Sequence, residues 1–426
     1  MNRSTFIHRA VVMMFGLMFG LIGAITLCWS STDNHWVVTW SAVADQAGPA
    51  LRGATIRQVV HTSIGGSNVR IRLSNLFGTG PITIESAHLA LHATGSAIQA
   101  GSDHPLTFQG VSTLKIAKGE SALSDPISMP VTALQELAIS LYLPANNGPS
   151  TIHGVGMETA YIKRGSDMTA AISLASAKTD ESHYFLTNVE VTGTDTAGVI
   201  VAIGDSIADG VGSTMDAGNR WSDVLASRLQ KDPALKSVAV ANTGIAGNRI
   251  LQDAADPFRG QSALNRFDPD ALSMPGVRWI ILDMGLNDIG AASLLGTAKA
   301  KVSSQQIIEG MQTLITRAHE KNIKIIGTTV TPFSGVHFGS GKHPYYSSAG
   351  EAKRQEVNTW IRSAHAFDAV ADFDQVLRDP DHPEKIRPAY DSGDHLHPND
   401  AGHKALAEAI DLHIFSASGS IKVAIR

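Results

Sequence analysis

Cysteine is nearly absent: the 426 residues hold one, Cys28, near the N-terminus. Beyond it the chain can form no disulfide, no cysteine-ligated zinc site and no thiol nucleophile. Stability must come from packing. Charge is sparse as well, with 17% charged residues, a net charge of -5 and no block of Lys or Arg. A nucleic-acid-binding chain would carry a basic stripe, so nucleic acid is not expected as a partner. Aromatics make up 6%, with six tryptophans and no obvious stacking platform for a glycan. What is plentiful is apolar residue, 43%, without a long low-complexity tract. That composition belongs to a globular chain, and the length leaves room for two or three domains.

The first thirty residues stand apart. Arg3 and Arg9 precede an uncharged apolar run from Ala10 to Leu27. A basic start followed by an apolar stretch has the shape of a secretory signal. The run is also just long enough to span a bilayer, which leaves an uncleaved anchor open. The expected location is therefore secreted or periplasmic, or membrane-anchored if the segment is retained. Leu27 before Cys28, where a small residue would be needed, speaks against lipidation.

Two rhythms follow. From residue 36 to 191 the pattern is of short strands, such as Val37–Trp40, Ile56–Val60, Val69–Leu73 and Leu137–Leu143. Several alternate apolar and polar residues, the period of a half-buried strand. Gly65–Asn68, Gly78–Pro81 and Asn146–Pro149 punctuate them. This half reads as an all-β sandwich or jelly roll. A Thr/Gly-rich stretch, residues 192–198, marks the boundary. From 197 to 416 the rhythm is strand then helix. Gly198–Ile203, Val238–Ala241, Trp279–Leu282 and Ile323–Gly327 are apolar runs suited to buried parallel strands. Trp221 to Leu229, and Ile307 to Ala318, carry apolar residues at helical spacing. Alternation of this kind predicts a parallel sheet covered by helices, with chemistry at the carboxyl ends of the strands.

Three segments sit at such ends, and a fourth precedes a final helix expected from near Asn399, with Ala405, Leu406, Ala409, Ile410 and Leu412 at helical spacing. Gly204-Asp205-Ser206 leaves the first strand, which places a serine where a nucleophile is useful if a base is near. Asn242–Asn248 is a glycine loop exposing backbone N–H groups. Gly285-Leu286-Asn287-Asp288 offers a side-chain amide. Asp394 and His397 lie three residues apart, so one tight turn can face both the same way, and Pro398 pushes His397 toward extended geometry. Each alone is ordinary: a helix cap, a βα loop, an Asn/Asp turn, a surface ion pair.

Together and in this order, GDS, the glycine loop, GxND and DxxH, they resemble the SGNH (GDSL-like) hydrolase superfamily. Ile207 replaces the leucine of the GDSL name, at a packing position. The resemblance covers about residues 197–415 and implies a three-layer α/β/α, flavodoxin-like hydrolase domain. Arg57–His61 and Arg70–Asn75 also resemble the N-terminal β domain of some secreted bacterial members. The resemblance implies Ser206 as nucleophile, His397 as base and Asp394 as its orienting carboxylate. It implies an oxyanion hole from the N–H of Ser206, the N–H of Gly247 and the side-chain amide of Asn287. Gly244 then serves the turn, and Asp205 caps the nucleophile turn. No cofactor is implied, and no metal: His395 and His403 have no spacing that suits zinc, and read as solvent-facing or structural. The segment 336–348, with His343, Pro344, Tyr345 and Tyr346, is expected on the rim of the site. The implied activity is carboxylic ester hydrolysis through an acyl-enzyme, on short-chain acyl or carbohydrate O-acetyl esters. A lipase or phospholipase, an acyltransferase with the same triad, and an inactive glycan-binding protein remain alternatives. The expected partners are an ester substrate, acetylated polysaccharide or lipid, with a membrane met only through the N-terminal segment.

Overall fold

The strand Gly66–Ser74 shows how the first half is built. Val69, Ile71 and Leu73 are buried, and Arg70 and Arg72 alternate with them. A period of two sends these sets to opposite faces. Leu186–Thr192 pairs antiparallel with this strand and places Glu190 across from Arg70. The buried Glu190 carboxylate pairs with Arg70 at 2.7 Å and with Arg72 at 3.4 Å. The computed structural model describes residues 35–193, 195–255, 259–296, 301–336 and 344–416. The N-terminal apolar run and Cys28 lie outside them, as does His343. Among the described residues no helix precedes Ser206.

Antiparallel strands fill that first half. One sheet holds Val37–Ser41, Leu186–Thr192, Gly66–Ser74, Ser121–Leu123 and Ile127–Val131. A second centres on Glu136–Leu143, flanked by Ala54–His61 and Ser86–Thr94. Gly66, Ser67 and Asn68 were expected to punctuate. They begin a strand instead, because Gly66 and Asn68 pair with Val131 and Ser128 of the neighbouring strand. Ladder pairing outweighs their low strand propensity. Arg57, in the centre of the second sheet, is fully buried. Its guanidinium donates to Ser140 Oγ and to the carbonyls of Ser96, Thr169 and Ala171 at 2.7–2.9 Å.

The change to parallel pairing falls between Thr192 and Gly198. Five strands follow: Gly198–Gly204, Val238–Asn242, Val277–Asp283, Lys324–Thr328 and Ala369–Ala371. All pair in parallel. Their order across the sheet is second, first, third, fourth, fifth. In such an order the chain reverses direction beside the first strand, and a crevice opens at its carboxyl end. Ser206 lies there. The helices Trp221–Lys231, Ser304–Glu320 and Asp400–Glu408 agree with the apolar spacing. Helix Ser348–Ser363 was not expected. Its buried face includes Gly350, Arg354 and Asn358 beside Val357 and Ile361, so the apolar period is masked.

The two halves touch directly, and residues from His35 onward cluster as one compact unit. Ser41 Oγ donates to the Asn242 carbonyl at 2.7 Å, Val240 N–H to Ser63 Oγ at 3.0 Å, and Val38 N–H to the Pro275 carbonyl at 3.1 Å. Arg57→Met should test the antiparallel half. It leaves three carbonyls, the Thr169 one among them buried, without their guanidinium donors, and a loss of about 3 kcal/mol is expected, read as a lower Tm by circular dichroism.

Candidate active site

Asp205 caps a single helical turn, Ser206–Asp209, by accepting the Ile207 N–H at 3.0 Å. The turn carries Ser206 at the end of the first parallel strand, with only 6% of its surface exposed. His397 arrives from a loop 191 residues later and puts Nε2 at 2.8 Å from Ser206 Oγ. Its Nδ1 lies 2.5 Å from Asp394 Oδ2. Asp394 Oδ1 accepts the N–H of Leu396 at 2.9 Å and of His397 at 2.8 Å. The Asp394 segment is thus a tight loop tied to its own carboxylate, not a helical turn. Burial works to raise the Asp394 pKa. The His397 ring and the two N–H donors outweigh it and hold the carboxyl well below the usual carboxylate range. With a lowered pKa, its contribution is present above the ordinary carboxylate value and is lost only as pH falls far below it.

The glycine loop is pinned from beneath by Arg266, which is buried. Arg266 donates to the carbonyls of Gly204 at 3.0 Å and Thr243 at 2.6 Å, and to Asn248 Oδ1 at 3.0 Å. Gly244 must be glycine for space: a Cβ there would sit 2.5 Å from the Asp209 nitrogen. Gly247 adopts φ +75°, a left-handed conformation that glycine takes at no steric cost. Among the described residues, the N–H groups of Ser206 and Gly247 donate to no protein atom. Two backbone donors near the serine are therefore unclaimed.

Asn287 lies in the first turn of helix Leu286–Leu294. Its amide donates to the Asn248 carbonyl at 3.0 Å and to Asp205 Oδ2 at 3.2 Å. Its Oδ1 accepts the Tyr345 hydroxyl at 2.7 Å. Both amide hydrogens thus have protein acceptors, which the sequence did not foretell. Asp205 is buried, and burial with the carboxylates of Asp283, Asp288 and Asp209 drives its pKa well above the ordinary value. Asp288 accepts the N–H groups of Ile250 and Leu251, which fixes the chain after the glycine loop, and burial raises it to about 6. His395 is half exposed, with Nδ1 at 2.6 Å from Asp391. His403 is fully buried against the Val211 carbonyl, and burial lowers it to about 4. It is a packed group, not a solvent-facing one. Among the described residues, no group of three or more His, Cys, Asp or Glu is placed to hold a metal ion.

Sequence reasoning missed Arg266 and Asp209, and it saw Tyr345 only as a rim residue. No short motif flags them. Each acts through a partner remote in the chain, and only an apolar setting around a charged residue could have hinted at Arg266.

A serine, an imidazole and a carboxylate in series at the carboxyl edge of a parallel sheet are the arrangement of nucleophilic-serine hydrolases. Residues 202–405 match the model of the GDSL-like Lipase/Acylhydrolase family, so this half is a domain of that family and a carboxylic ester hydrolase. No curated protein matches the chain. Solved structures similar to it include an acetylxylan esterase, Axe2, from Geobacillus stearothermophilus, at 20% identity and a TM-score of 0.36, covering 50% of this chain and 92% of that one. A GDSL-like lipase from Bacteroides thetaiotaomicron has 17% identity and a TM-score of 0.35, covering 50% and 85%. An alpha/beta hydrolase enzyme from the metagenome of Lake Arreo has 19% identity and a TM-score of 0.37, covering 51% and 94%. With TM-scores this low, the similarities carry no residue role or substrate over to this chain.

Two measurements follow from the geometry. A 13C-labelled Asp394 carboxyl should show no titration between neutrality and about pH 3. Tyr345→Phe leaves Asn287 Oδ1 unpaired and should lower ester kcat about tenfold, with KM nearly unchanged.

Proposed function

We propose that the chain is a serine esterase acting on short acyl esters of hydroxylated alcohols, carbohydrate O-acetyl esters above all. The observation that carries it is the 2.8 Å approach of His397 Nε2 to Ser206 Oγ, with Asp394 at 2.5 Å behind the ring. In this reading Ser206 Oγ attacks the ester carbonyl and His397 takes its proton. Asp394 stays ionised, holds the ring's tautomer and stabilises the imidazolium. The oxyanion receives the unclaimed N–H groups of Ser206 and Gly247. The Asn287 amide joins them by giving up its longer bond, the 3.2 Å contact to Asp205. A neutral Asp205, favoured by its raised pKa, puts no negative charge beside that oxyanion. His397 then returns the proton to the leaving alcohol, and water repeats the sequence to free the acid.

A cavity of about 460 Å³ opens beside the loop that carries His397. Ser334, Asp379, Lys385, Asp391 and His395 line it together with Ile386 and Pro388. The same reading assigns residues 197–416 to catalysis as a three-layer domain and 36–191 to a β-sandwich. The second-first-third-fourth-fifth strand order supports the former. Export through the N-terminal segment belongs to the proposal, on the basic start and apolar run of residues 1–30.

The test is hydrolysis of p-nitrophenyl esters from acetate to palmitate by the full-length chain, alongside acetate release from an acetylated polysaccharide. kcat/KM should be greatest on acetate. Ser206→Ala should lose roughly four orders of magnitude or more in kcat, and Asn287→Ala roughly two to three. A maximum at palmitate would make the chain a lipase. No hydrolysis by folded protein would sink the esterase reading.

A further inference from the structure

Among the buried charge clusters that the catalytic reading leaves unused, one touches the nucleophile turn. It lies where the two halves meet. His153 ends the antiparallel strand Pro149–His153, and its side chain is buried. Its Nδ1 is 2.8 Å from the Val43 carbonyl. Its Nε2 is 3.0 Å from the Val155 carbonyl and 2.9 Å from Asp209 Oδ1. A carbonyl oxygen can only accept, and one stands at each ring nitrogen. Both nitrogens must therefore carry hydrogen, and the ring is an imidazolium.

Asp209 is the last residue of the turn that begins with Ser206. One of its oxygens meets His153, and the other accepts the Ala246 N–H at 2.9 Å. Its own N–H donates to the Asp205 carbonyl at 2.9 Å. Ala246 is the residue before Gly247. The nucleophile turn and the glycine loop thus share one carboxylate, and Gly244 packs directly on the Asp209 backbone.

We propose that His153 is a positioning residue of the active site: as a buried imidazolium supplied by the antiparallel half, it clamps Asp209 and so sets the N–H groups of Ser206 and Gly247. The proposal rests on the esterase reading above for the purpose of those donors. It makes the first half part of the working site, not a detachable module. A carboxylate free to rotate would release Ala246, and the next peptide would no longer be aimed. Oxyanion donors misplaced by a fraction of an ångström lose much of their effect.

The surroundings suit a permanent cation. Asp45 stands 4.0 Å from His153 Nδ1 and accepts the Gly154 N–H at 3.0 Å. Arg259 also acts on Asp45. The His183 ring stacks at 6.3 Å. Burial, the His153 charge and Arg220 push His183 well below its ordinary value, so it stays neutral. Beyond it Glu158 lies 3.5 Å from His183 and 3.5 Å from Arg220. Burial opposes the charge on His153, but Asp209 and Asp45 outweigh it and lift the ring to about 9. A raised pKa places the stabilising charge fully below about pH 6.5, with loss as pH rises through about 9.

The experiment uses the full chain and three variants, His153→Gln, Asp209→Asn and the double variant, with Tm followed for each. On p-nitrophenyl acetate, His153→Gln should lower kcat at least about tenfold with KM within about twofold. Asp209→Asn should match it, and the double variant should fall no further, because the two residues act as one device. The wild-type loss of kcat above about pH 9 should vanish in His153→Gln. Nitrogen-15 NMR of the His153 ring at about pH 7.5 should show both nitrogens protonated. A neutral ring, unchanged kcat with a lowered Tm, or losses that multiply in the double variant would each overturn the proposal. If the wild type hydrolyses no ester, the esterase reading fails alone. Amide exchange at Ala246 then decides, since faster exchange in His153→Gln supports the clamp and unchanged exchange refutes it.

Discussion

The Ser206–His397 contact joins residues 191 apart and leaves both groups nearly buried. Two loops must meet within hydrogen-bond distance without spending the atoms that react. The chain meets that constraint with bonds placed just outside the reacting groups. Asp394 folds its own loop through the Leu396 and His397 N–H groups. Thr214, after the nucleophile turn, donates its N–H and hydroxyl to Asp400, in the helix after His397, both at 2.7 Å. The serine and the imidazole are thereby held from both sides.

The same economy governs the glycine loop. Ser206 and Gly247 keep their N–H groups unclaimed, and helix or strand pairing would have consumed them. The loop is held instead by side chains: Arg266 under its carbonyls, Asp288 on the N–H groups after it, and Asp209 on Ala246. Buried charges of this kind are costly unless nearly every polar atom is met. Here the network returns position, not net stability. A purely apolar floor would pack as well but could not aim a peptide.

Much of this was legible in the sequence. The four segments that hold Ser206, Gly247, Asn287, Asp394 and His397 stand at strand ends or before the last helix, as their order implied. The long apolar runs became parallel strands with edges shifted by a residue or so. Local patterns failed where polar residues were buried. Helix Ser348–Ser363 hid behind Arg354 and Asn358, and Gly66–Asn68 looked like a turn until a neighbouring strand paired with it. The tight turn expected at Asp394 is there, closed by the carboxylate binding its own following backbone.

The sequence by itself determined which groups are chemically able to act, because residue identity and order along the strands are local properties. It also determined that no cysteine beyond Cys28 takes part. Only the tertiary structure decided what aims those groups. Arg266 joins the end of the first parallel strand to the glycine loop, Tyr345 reaches Asn287 across 58 residues, and His153 reaches Asp209 across 56. Such pairings depend on how sheets and loops pack, and a burial that turns a histidine into a lasting cation has no signature in a one-dimensional pattern.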